Sequence, residues 1–292
     1  MNILSFDTEE WSIEKTIHGG RDFKYKQFDE TFFRLLDRLD ELCLKGTFFC
    51  LGSLAVDFPD VVREIAKRGH EVGCHSHNHV WLTKLSPVEF RKDTSDAISA
   101  LEDLVGQKVV SYRAPAFTIG ESNKWAIEIL AECGIENDAS IFPVKRDFGG
   151  FSGFGLDRPC VVSYQGASLR EFPICIGRIY GKQMAFSGGG YFRVLPSSIL
   201  KSQLNKRDYT IWYFHLNDLI SEQRKMMSRQ QHENYYKEPG TLKNRYVRYL
   251  KNVIGSAGAF DKLSKFLECA PFINVHDAVN MIDWNDVSRI DL

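Results

Sequence analysis

Short apolar segments alternate with amphipathic helical patterns along most of this chain of 292 residues. The helical segments place apolar residues at i, i+3, i+4 and i+7, as Phe32, Leu35, Leu36 and Leu39 do. The predicted strands cover residues 3–6, 47–51, 71–74, 109–112, 210–214 and 272–275, and the predicted helices cover residues 32–43, 59–68, 86–105, 125–133, 197–205 and 242–268. Repeated strand–helix units predict an α/β fold with a parallel sheet, either doubly wound or closed into a barrel.

The segment from about Lys145 to Phe192 interrupts this alternation. It is rich in glycine, including the run 188–190, and we expect loops and short extended pieces there. No internal repeat or low-complexity linker divides the chain. We therefore predict a single domain over residues 1–292, with a core over about 1–218 and a helical C-terminal extension over about 219–292.

Composition argues against several classes of protein. Lys and Arg number 37 against 38 Asp and Glu, and the net charge of −1 gives no electrostatic basis for binding nucleic acid. No stretch approaches the ~18 apolar residues of a transmembrane helix. The first residues lack the basic and apolar regions of a secretory leader, and the seven cysteines, an odd number without a CxxC pair, indicate reduced thiols. We expect a cytoplasmic protein with no nucleic-acid partner and no transmembrane segment.

Acidic residues follow the first predicted strand. In an extended chain, side chains two residues apart share a face, so Asp7 and Glu9 project together while Glu10 points away. Two carboxylates at the end of a buried strand are costly unless a cation or a hydrogen-bond donor shares the site. The alternative is an acidic helix start on the surface, since carboxylates favour helix N-termini.

Three alternating histidines follow the third predicted strand. His75 and His79 are four residues apart, which in a helical turn places both imidazoles on one side, a common arrangement for holding zinc. His77 faces away from that pair in a helical turn, although it is an alternative ligand. We therefore predict a divalent-metal site, with zinc as the expected ion.

Three further polar residues come directly after predicted strands: Arg113, Asp138 and His215. Each has an ordinary alternative, because Arg113 could pair with a surface acid, Asp138 could be a turn residue and His215 could be a buried structural imidazole. Together with the acidic and histidine clusters, however, they fall at the carboxyl ends of predicted strands. In a parallel barrel these ends form the face that carries catalysis, so we predict one active site.

Taken together, these segments resemble the polysaccharide deacetylase family (NodB homology, carbohydrate esterase 4). The matching segments, in the family's order, are Phe-Asp-Thr-Glu at 6–9, His-Ser-His-Asn-His at 75–79, Arg-Ala-Pro-Ala-Phe at 113–117, Asp-Ala-Ser at 138–140 and Phe-His-Leu at 214–216. The segment Gly-Gly-Gly-Tyr-Phe-Arg at 188–193 is similar to the branch found with bacterial exopolysaccharide and surface-glycan gene clusters. The resemblance covers about residues 3–218 and implies a distorted (β/α)₇ barrel.

The resemblance also implies a role for each site residue. The implied roles are Asp7 as general base, Arg113 as the residue that orients it, His215 as general acid, Asp138 as the residue that tunes it, and Glu9, His75 and His79 as the metal ligands. The chain departs from the family pattern in three places. Its first motif lacks adjacent aspartates, no aromatic residue follows Asp138 directly, and Leu-Asn-Asp follows His215. The first departure leaves Glu10 as an alternative ligand to Glu9.

The implied activity is metal-dependent removal of an N-acetyl group from an amino sugar in a glycan or glycan precursor. Two alternatives are hydrolysis of a small or cyclic non-sugar amide on the same barrel, and a catalytically silent sugar-binding homologue. Candidates for both a base and an acid disfavour the silent homologue, since binding alone requires neither. Because a cytoplasmic enzyme cannot reach a finished extracellular polymer, we expect a lipid-linked or nucleotide-linked N-acetylated carbohydrate as substrate.

The predicted C-terminal extension is rich in basic residues. They include Arg224, Lys225, Arg229, Lys243, Arg245, Arg248 and Lys251. The pattern favours a solvated helical face, because the helix at 242–254 has no strong stripe of bulky apolar residues. The alternative is contact with an anionic lipid carrier or a membrane surface. The sequence makes no prediction of oligomeric state.

Overall fold

Strands and helices alternate over most of the chain. The computed structural model describes residues 1–146, 149–179, 181–220, 226–236 and 238–292. The strands are β1 (Asn2–Thr8), β2 (Thr47–Cys50), β3 (Glu71–Cys74), β4 (Ser111–Tyr112), β5 (Asn137–Asp138), β6 (Cys160–Tyr164), β7 (Ala167–Glu171), β8 (Gly177–Ile179), β9 (Lys182–Met184), β10 (Thr210–His215) and β11 (Ser288–Asp291). The helices are α1 (Glu10–His18), α2 (Asp22–Glu41), α3 (Gly52–Asp57), α4 (Pro59–Lys67), α5 (Pro87–Val105), α6 (Ala126–Glu132), α7 (Gly189–Val194), α8 (Ser197–Lys206), α9 (Leu216–Leu219), α10 (Arg229–Tyr236), α11 (Leu242–Val253), α12 (Ala259–Leu267) and α13 (Val275–Met281).

Seven strands run parallel, side by side, in the order β10-β1-β2-β3-β4-β5-β7. β6 pairs antiparallel with β7, and β11 pairs parallel with β6. Because the seven strands are parallel, their carboxyl ends lie at one edge of the sheet. The α/β prediction is confirmed, and the fold is a distorted (β/α)₇ barrel.

The distortion lies between β7 and β10. Among the described residues these two strands share no ladder of backbone hydrogen bonds. Side chains join the two sides instead, since the Tyr209 hydroxyl donates to the Pro173 carbonyl at 2.8 Å and the Cys175 thiol donates to the Tyr209 carbonyl at 3.6 Å. Arg207 also donates to the Ile176 carbonyl. The segment after β7 therefore takes the place of a paired strand.

Helix α5 shows how local sequence sets an element boundary. Ser86 and Glu89 form the capping box predicted by their spacing: the Glu89 N–H donates to Ser86 Oγ at 3.3 Å, and the Ser86 N–H donates to Glu89 Oε2 at 2.8 Å. Gly106 follows the helix in the left-handed conformation, with φ 69°. The helix thus begins and ends where its capping residues allow.

Two predictions of secondary structure were wrong or incomplete. Residues 272–275 do not form a strand: Ile273 makes an isolated bridge to Ile3, and α13 begins at Val275 because the Asn274 side chain accepts the Asp277 N–H at 2.7 Å. The last strand is instead β11. The glycine-rich middle contains β6 to β9 and α7, including a strand of the barrel itself.

The C-terminal extension packs on the barrel. Phe266 of α12 lies edge-on to Trp212 of β10, with 4.7 Å between ring centroids. Arg224 and Lys225 lie outside the described residues. Among the described helices, none has the length and apolar character needed to cross a bilayer. All seven cysteines are free thiols, and Cys43 and Cys269 are the exposed ones.

Candidate metal and catalytic site

The predicted site residues meet at the carboxyl edge of the sheet. Asp7 lies opposite His215 in the pairing of β1 with β10, and Glu9 follows β1 directly. His75 and Arg113 follow the neighbouring strands β3 and β4, which pair side by side. Adjacent parallel strands thus carry these side chains to one place, as expected for this fold.

Glu9, His75 and His79 form a three-residue cluster suited to a metal ion. Glu9 Oε2 lies 2.7 Å from His79 Nε2 and 3.3 Å from His75 Nε2, and the ligand atoms all lie within 4.8 Å of one another. Glu9 Oε2 is buried and accepts no hydrogen bond among the described residues, so a cation would supply its missing partner. Two imidazoles and one carboxylate are a donor set typical of catalytic zinc.

The tautomer of His75 follows from its second nitrogen. His75 Nδ1 lies 2.7 Å from the Arg113 carbonyl, which can only accept, so Nδ1 carries the proton. The lone pair of Nε2 therefore faces Glu9. Such a hydrogen bond behind a histidine ligand fixes the ring and is usual in metal sites.

The predicted helical turn at the histidines was wrong. Residues 75–80 form a loop in which Ser76 and His79 have positive φ angles of 71° and 57°. The His79 N–H donates to Ser76 Oγ at 3.0 Å, which stabilises this turn. His77 packs toward Gly52 of α3, and its N–H donates to Asp93 at 2.8 Å. His77 is therefore outside the cluster, for reasons of loop geometry rather than helical spacing.

Arg113 contacts Asp7 in the interior of the barrel. Arg113 is fully buried and donates to Asp7 Oδ1 at 2.7 Å and to Ser5 Oγ at 3.0 Å. Its guanidinium also lies over the Phe49 ring, 4.2 Å from the centroid. Burial alone would raise the pKa of Asp7, but Arg113 and the nearby histidines lower it below the usual value. The alternative of a surface ion pair for Arg113 was wrong.

His215 lies near three carboxylates, those of Asp7, Glu9 and Asp218. Its Nε2 is 3.7 Å from both Asp7 Oδ2 and Glu9 Oε1, and its Nδ1 is 3.5 Å from Asp218 Oδ2. Burial would lower the pKa of His215, but Glu9, Asp218 and Asp7 raise it to about 10. The imidazole therefore carries a proton at neutral pH.

Asp138 does not contact His215, as its implied role requires. It is fully buried and accepts a hydrogen bond from Ser140, and burial raises its pKa to about 6. Its carboxyl neighbour is Glu171 at the end of β7, whose pKa is raised well above its usual range by burial and by Asp138. Asp138 Oδ2 and Glu171 Oε2 are both buried and accept no hydrogen bond among the described residues. A proton shared between the two carboxyls would satisfy both atoms.

Asp218 is the residue that the sequence analysis missed. It accepts the His215 N–H at 3.0 Å, and the two form a capping box at the start of α9. The spacing of three residues was the available signal, since it is the spacing of a capping box. Arg193 Nε lies 3.3 Å from Asp218 Oδ1 on the other side.

Glycines 188 and 189 make room for this arrangement. A Cβ at Gly189 would overlap the Asp218 carboxylate, and a Cβ at Gly188 would overlap the Tyr213 ring. The glycine run that the sequence analysis linked to one branch of the family therefore has a local physical reason. It allows α7 to pack against the end of β10 and against Asp218.

Glu10 is buried beside the site and does not point away from it. Its Oε1 accepts the Asn217 N–H at 2.9 Å, and burial together with Glu9 raises its pKa to about 7. The alternative of an acidic helix start on the surface was wrong, since Glu9 and Glu10 are 7% and 1% exposed. The alternation of side chains expected for a strand does not extend to Glu10, because helix α1 begins at that residue. Glu9, not Glu10, lies beside the histidines.

Two cavities adjoin the site. The first, of about 860 Å³, is bordered by Glu9, Glu10, His215 and Asp218, by α1 and by α10 and α11 of the extension. The second, of about 820 Å³, is bordered by His79 and Trp81, by α1 and by α10. Ile13, Ile17, Ser228 and Gln231 border both. Volumes of this size accommodate a saccharide-sized ligand.

Comparison with known proteins agrees with this geometry. Residues 14–137 match the family model described as polysaccharide deacetylase. This part of the chain is a polysaccharide deacetylase domain. Residues 139–268 match a second model, a domain of unknown function (DUF3473). The first match contains His75, His79 and Arg113, whereas Asp7 and Glu9 precede it and His215 lies in the second match. The second match also crosses the boundary near 218 predicted between core and extension.

Individual relatives cover different shares of the chain. A peptidoglycan-N-acetylglucosamine deacetylase from Bacillus cereus is 36% identical over 96 residues, which is 32% of this chain and 35% of that protein. The chain thus spans about a third of the length of this curated relative. A crystal structure of a Mycobacterium smegmatis protein assigned to the polysaccharide deacetylases has a TM-score of 0.64 at 20% identity, and covers 100% of this chain and 92% of that one. A carbohydrate esterase 4 family pseudoenzyme from Bacillus anthracis has a TM-score of 0.50 at 13% identity, over 100% and 69%. These two structures show the shared fold.

Proposed function

We propose that this chain is a zinc-dependent hydrolase that removes N-acetyl groups from an amino sugar in a glycan or glycan precursor. The observation that carries the proposal is that a carboxylate and an imidazole lie together beside one metal-ligand cluster. Asp7 is the carboxylate and His215 is the imidazole, and His215 Nε2 lies 3.7 Å from both Asp7 Oδ2 and Glu9 Oε1 of the cluster. The polysaccharide deacetylase domain supports hydrolysis of an acetamide in particular.

Amide hydrolysis requires a base for the attacking water, stabilisation of the developing oxyanion and a proton for the leaving nitrogen. Glu9, His75 and His79 would hold the divalent cation, which when bound polarises the carbonyl and acidifies water. Asp7 accepts the proton of the attacking water. Its lowered pKa and its hydrogen bond from Arg113 keep it ionised and fixed in direction.

His215 donates the proton that the departing amine needs. Asp218 and Asp7 both raise the pKa of His215 and so favour its protonated form, and Asp218 holds the ring through Nδ1 so that Nε2 faces Asp7 and Glu9. Hydrolysis needs both a proton donor and a base at the site, whereas binding alone needs neither. This pairing favours an enzyme over a silent homologue of the pseudoenzyme kind.

The test combines metal content with acetate release. Purified chain is reconstituted with zinc, cobalt, nickel or magnesium, its bound metal is measured by mass spectrometry, and acetate release is followed from N-acetylated oligosaccharides, nucleotide sugars and cyclic amides. We expect zinc to bind at one equivalent and acetate to appear from an N-acetylated saccharide. Activity confined to a cyclic amide would favour the alternative enzyme, and metal binding without any turnover would favour the silent homologue.

We place the enzyme in the cytoplasm as part of the same proposal. Seven unpaired thiols, two of them exposed, suit a reducing compartment. Fractionation of cells that express the full-length protein tests this placement. Recovery outside the cytoplasm would contradict it and would remove the argument for a nucleotide-linked or lipid-linked substrate.

A further inference from the structure

Part of the lining of the larger cavity has no role in the proposed catalysis. The cavity is bordered by Glu9, His215 and Asp218, and also by His232 of α10 and Arg245 of α11. The last two residues come from the C-terminal extension, and we call them the wall of the cavity. The extension is therefore a second surface for a ligand that lies in this cavity.

Two arginines that border this cavity are matched by carboxylates. Arg21 donates to Glu14 at 2.7 Å, and Arg248 lies 3.2 Å from Glu238. An arginine and a carboxylate paired in this way nearly neutralise each other and leave little charge to attract a ligand.

Arg245 differs from these matched residues. Its Nη1 donates to the Met227 carbonyl at 3.2 Å, whereas its Nε is buried and has no hydrogen-bond partner. No carboxylate in the described part of the chain forms an ion pair with it. A guanidinium is always charged and presents its donors as a fork that fits a phosphate or a carboxylate. A buried donor without an acceptor is destabilising, so an oxyanion here would satisfy it.

His232 is a second, independent observation at the same wall. The residue is fully buried, and its Nδ1 has no partner among the described residues while Nε2 faces Glu238. His232 Nδ1 and Arg245 Nε are thus two buried polar atoms without a partner among the described residues, on two side chains that border one cavity.

We propose that Arg245 and His232 bind an oxyanion, a phosphate or a carboxylate, carried by the N-acetylated substrate. This inference rests on the proposed function, because it assumes that the acetamide group of the ligand lies beside His215 in the same cavity. The substrate class is then an anionic N-acetylated saccharide, such as a sugar diphosphate or an N-acetylhexosamine joined to a uronic acid. A neutral oligosaccharide would leave both polar atoms without a partner.

Calorimetric titration of the zinc-loaded full chain tests the proposal with three ligands. They are uridine diphosphate N-acetylglucosamine, a disaccharide of N-acetylglucosamine and glucuronate, and neutral di-N-acetylchitobiose. We expect at least one anionic ligand to bind about 10- to 100-fold tighter than the neutral one, the usual effect of a charged hydrogen bond. The two anionic ligands distinguish a phosphate from a carboxylate.

Two variants test whether Arg245 and His232 cause the preference for an anionic ligand. Arg245→Gln is expected to abolish the preference for the anionic ligand, and Lys243→Gln, an exposed residue on the same helix, is the matched control that keeps it. His232→Gln provides a second variant if Arg245→Gln fails to fold. Equal affinity for charged and neutral ligands in the unmodified chain, or an unchanged preference in both wall variants, would overturn the proposal.

Acetate release separates this inference from the function on which it rests. If neutral di-N-acetylchitobiose is deacetylated as efficiently as the anionic ligands, the wall proposal fails and the deacetylase stands. If an anionic ligand binds through Arg245 but no saccharide releases acetate with any metal, the deacetylase fails and the anion site stands.

Discussion

The carboxylate of Asp218 lies directly against Gly189, at the position that any larger side chain would occupy. The same carboxylate contacts His215 Nδ1 at 3.5 Å and accepts the His215 N–H at 3.0 Å. A glycine in α7 therefore sets the place of the group that orients the proposed acid. The relationship links a glycine without any side chain to proton donation.

Replacing Gly189 by alanine should impair the acid without disturbing the metal. We expect Gly189→Ala to lower hydrolysis of an N-acetyl saccharide by about 10-fold or more, below the ~10²–10⁴-fold effect of losing a general acid completely. Zinc content should stay at one equivalent. Gly190→Ala is the matched control, because a Cβ there meets no atom within 4 Å. Equal activity of the two variants would show that Asp218 can shift at no cost.

The loss of rate on removing His215 should be larger for a poorer leaving group. An amine needs a proton to depart, whereas a phenolate hardly does. His215→Ala should therefore lower acetate release from an N-acetyl sugar strongly and affect an aryl acetate ester far less, with the metal retained. A uniform loss on both substrates with a lower melting temperature would identify His215 as structural.

Metal content should distinguish the three histidines. We expect His75→Ala and His79→Ala to lose both metal and activity, since their Nε2 atoms face Glu9. His77→Ala should keep its metal, because His77 packs toward α3 and its anchor to Asp93 is made by its backbone N–H. Mass spectrometry of purified variants measures this directly. Metal loss in a well-folded His77→Ala would mean that the loop rearranges on binding.

Variants of Asp7, Glu9 and Glu10 should also differ in their metal content and in their rates. Asp7→Asn should keep its zinc and lose ~10²–10⁴-fold in rate, the scale of a general base. Glu9→Gln should weaken metal binding. Glu10→Gln should do little, since a pKa of about 7 already makes the neutral form accessible and Gln keeps an acceptor for the Asn217 N–H. Loss of metal in Glu10→Gln alone would reassign the ligand.

The buried Asp138–Glu171 pair should make stability depend on pH. A raised pKa means that the native state keeps a proton which the unfolded chain releases above pH ~4. The stabilisation is complete below pH ~4 and is lost as pH rises through about 6, the native value for Asp138. In Glu171→Gln we expect the fall in melting temperature between pH 5 and 8 to be smaller than in the unmodified chain. An identical fall would show that the pair holds no shared proton.

Much of the site could be predicted from the sequence because its residues lie at the ends of strands. Polar residues directly after short apolar runs fall at one edge of a parallel sheet, whatever the exact strand boundaries are. Asp7, His75, Arg113 and His215 all follow this rule, and the structure brings them together. The alternating elements also predicted the fold class.

What escaped prediction depends on loops and on long-range packing. Helical spacing selected His75 and His79, which do lie together beside Glu9, but through a loop rather than a helical turn, because the φ angles of a loop are not encoded in periodicity. Asp138 was expected to act on His215, but Ser140 and Glu171 are its neighbours. Glu171 lies 33 residues beyond Asp138 in the sequence, with no pattern that links the two, and only the assembled sheet joins β5 to β7. The carboxylate that does contact His215 is Asp218, which forms a capping box with it at the start of α9.

Gln231 and Ser228 border both cavities, as do Ile13 and Ile17 of α1. A substitution at any of these residues therefore alters the two cavities together, so a changed saccharide preference in such a variant does not tell which cavity holds the ligand. Residues that border one cavity and not the other, such as His215 for the first and Trp81 for the second, are the positions at which substitution distinguishes them.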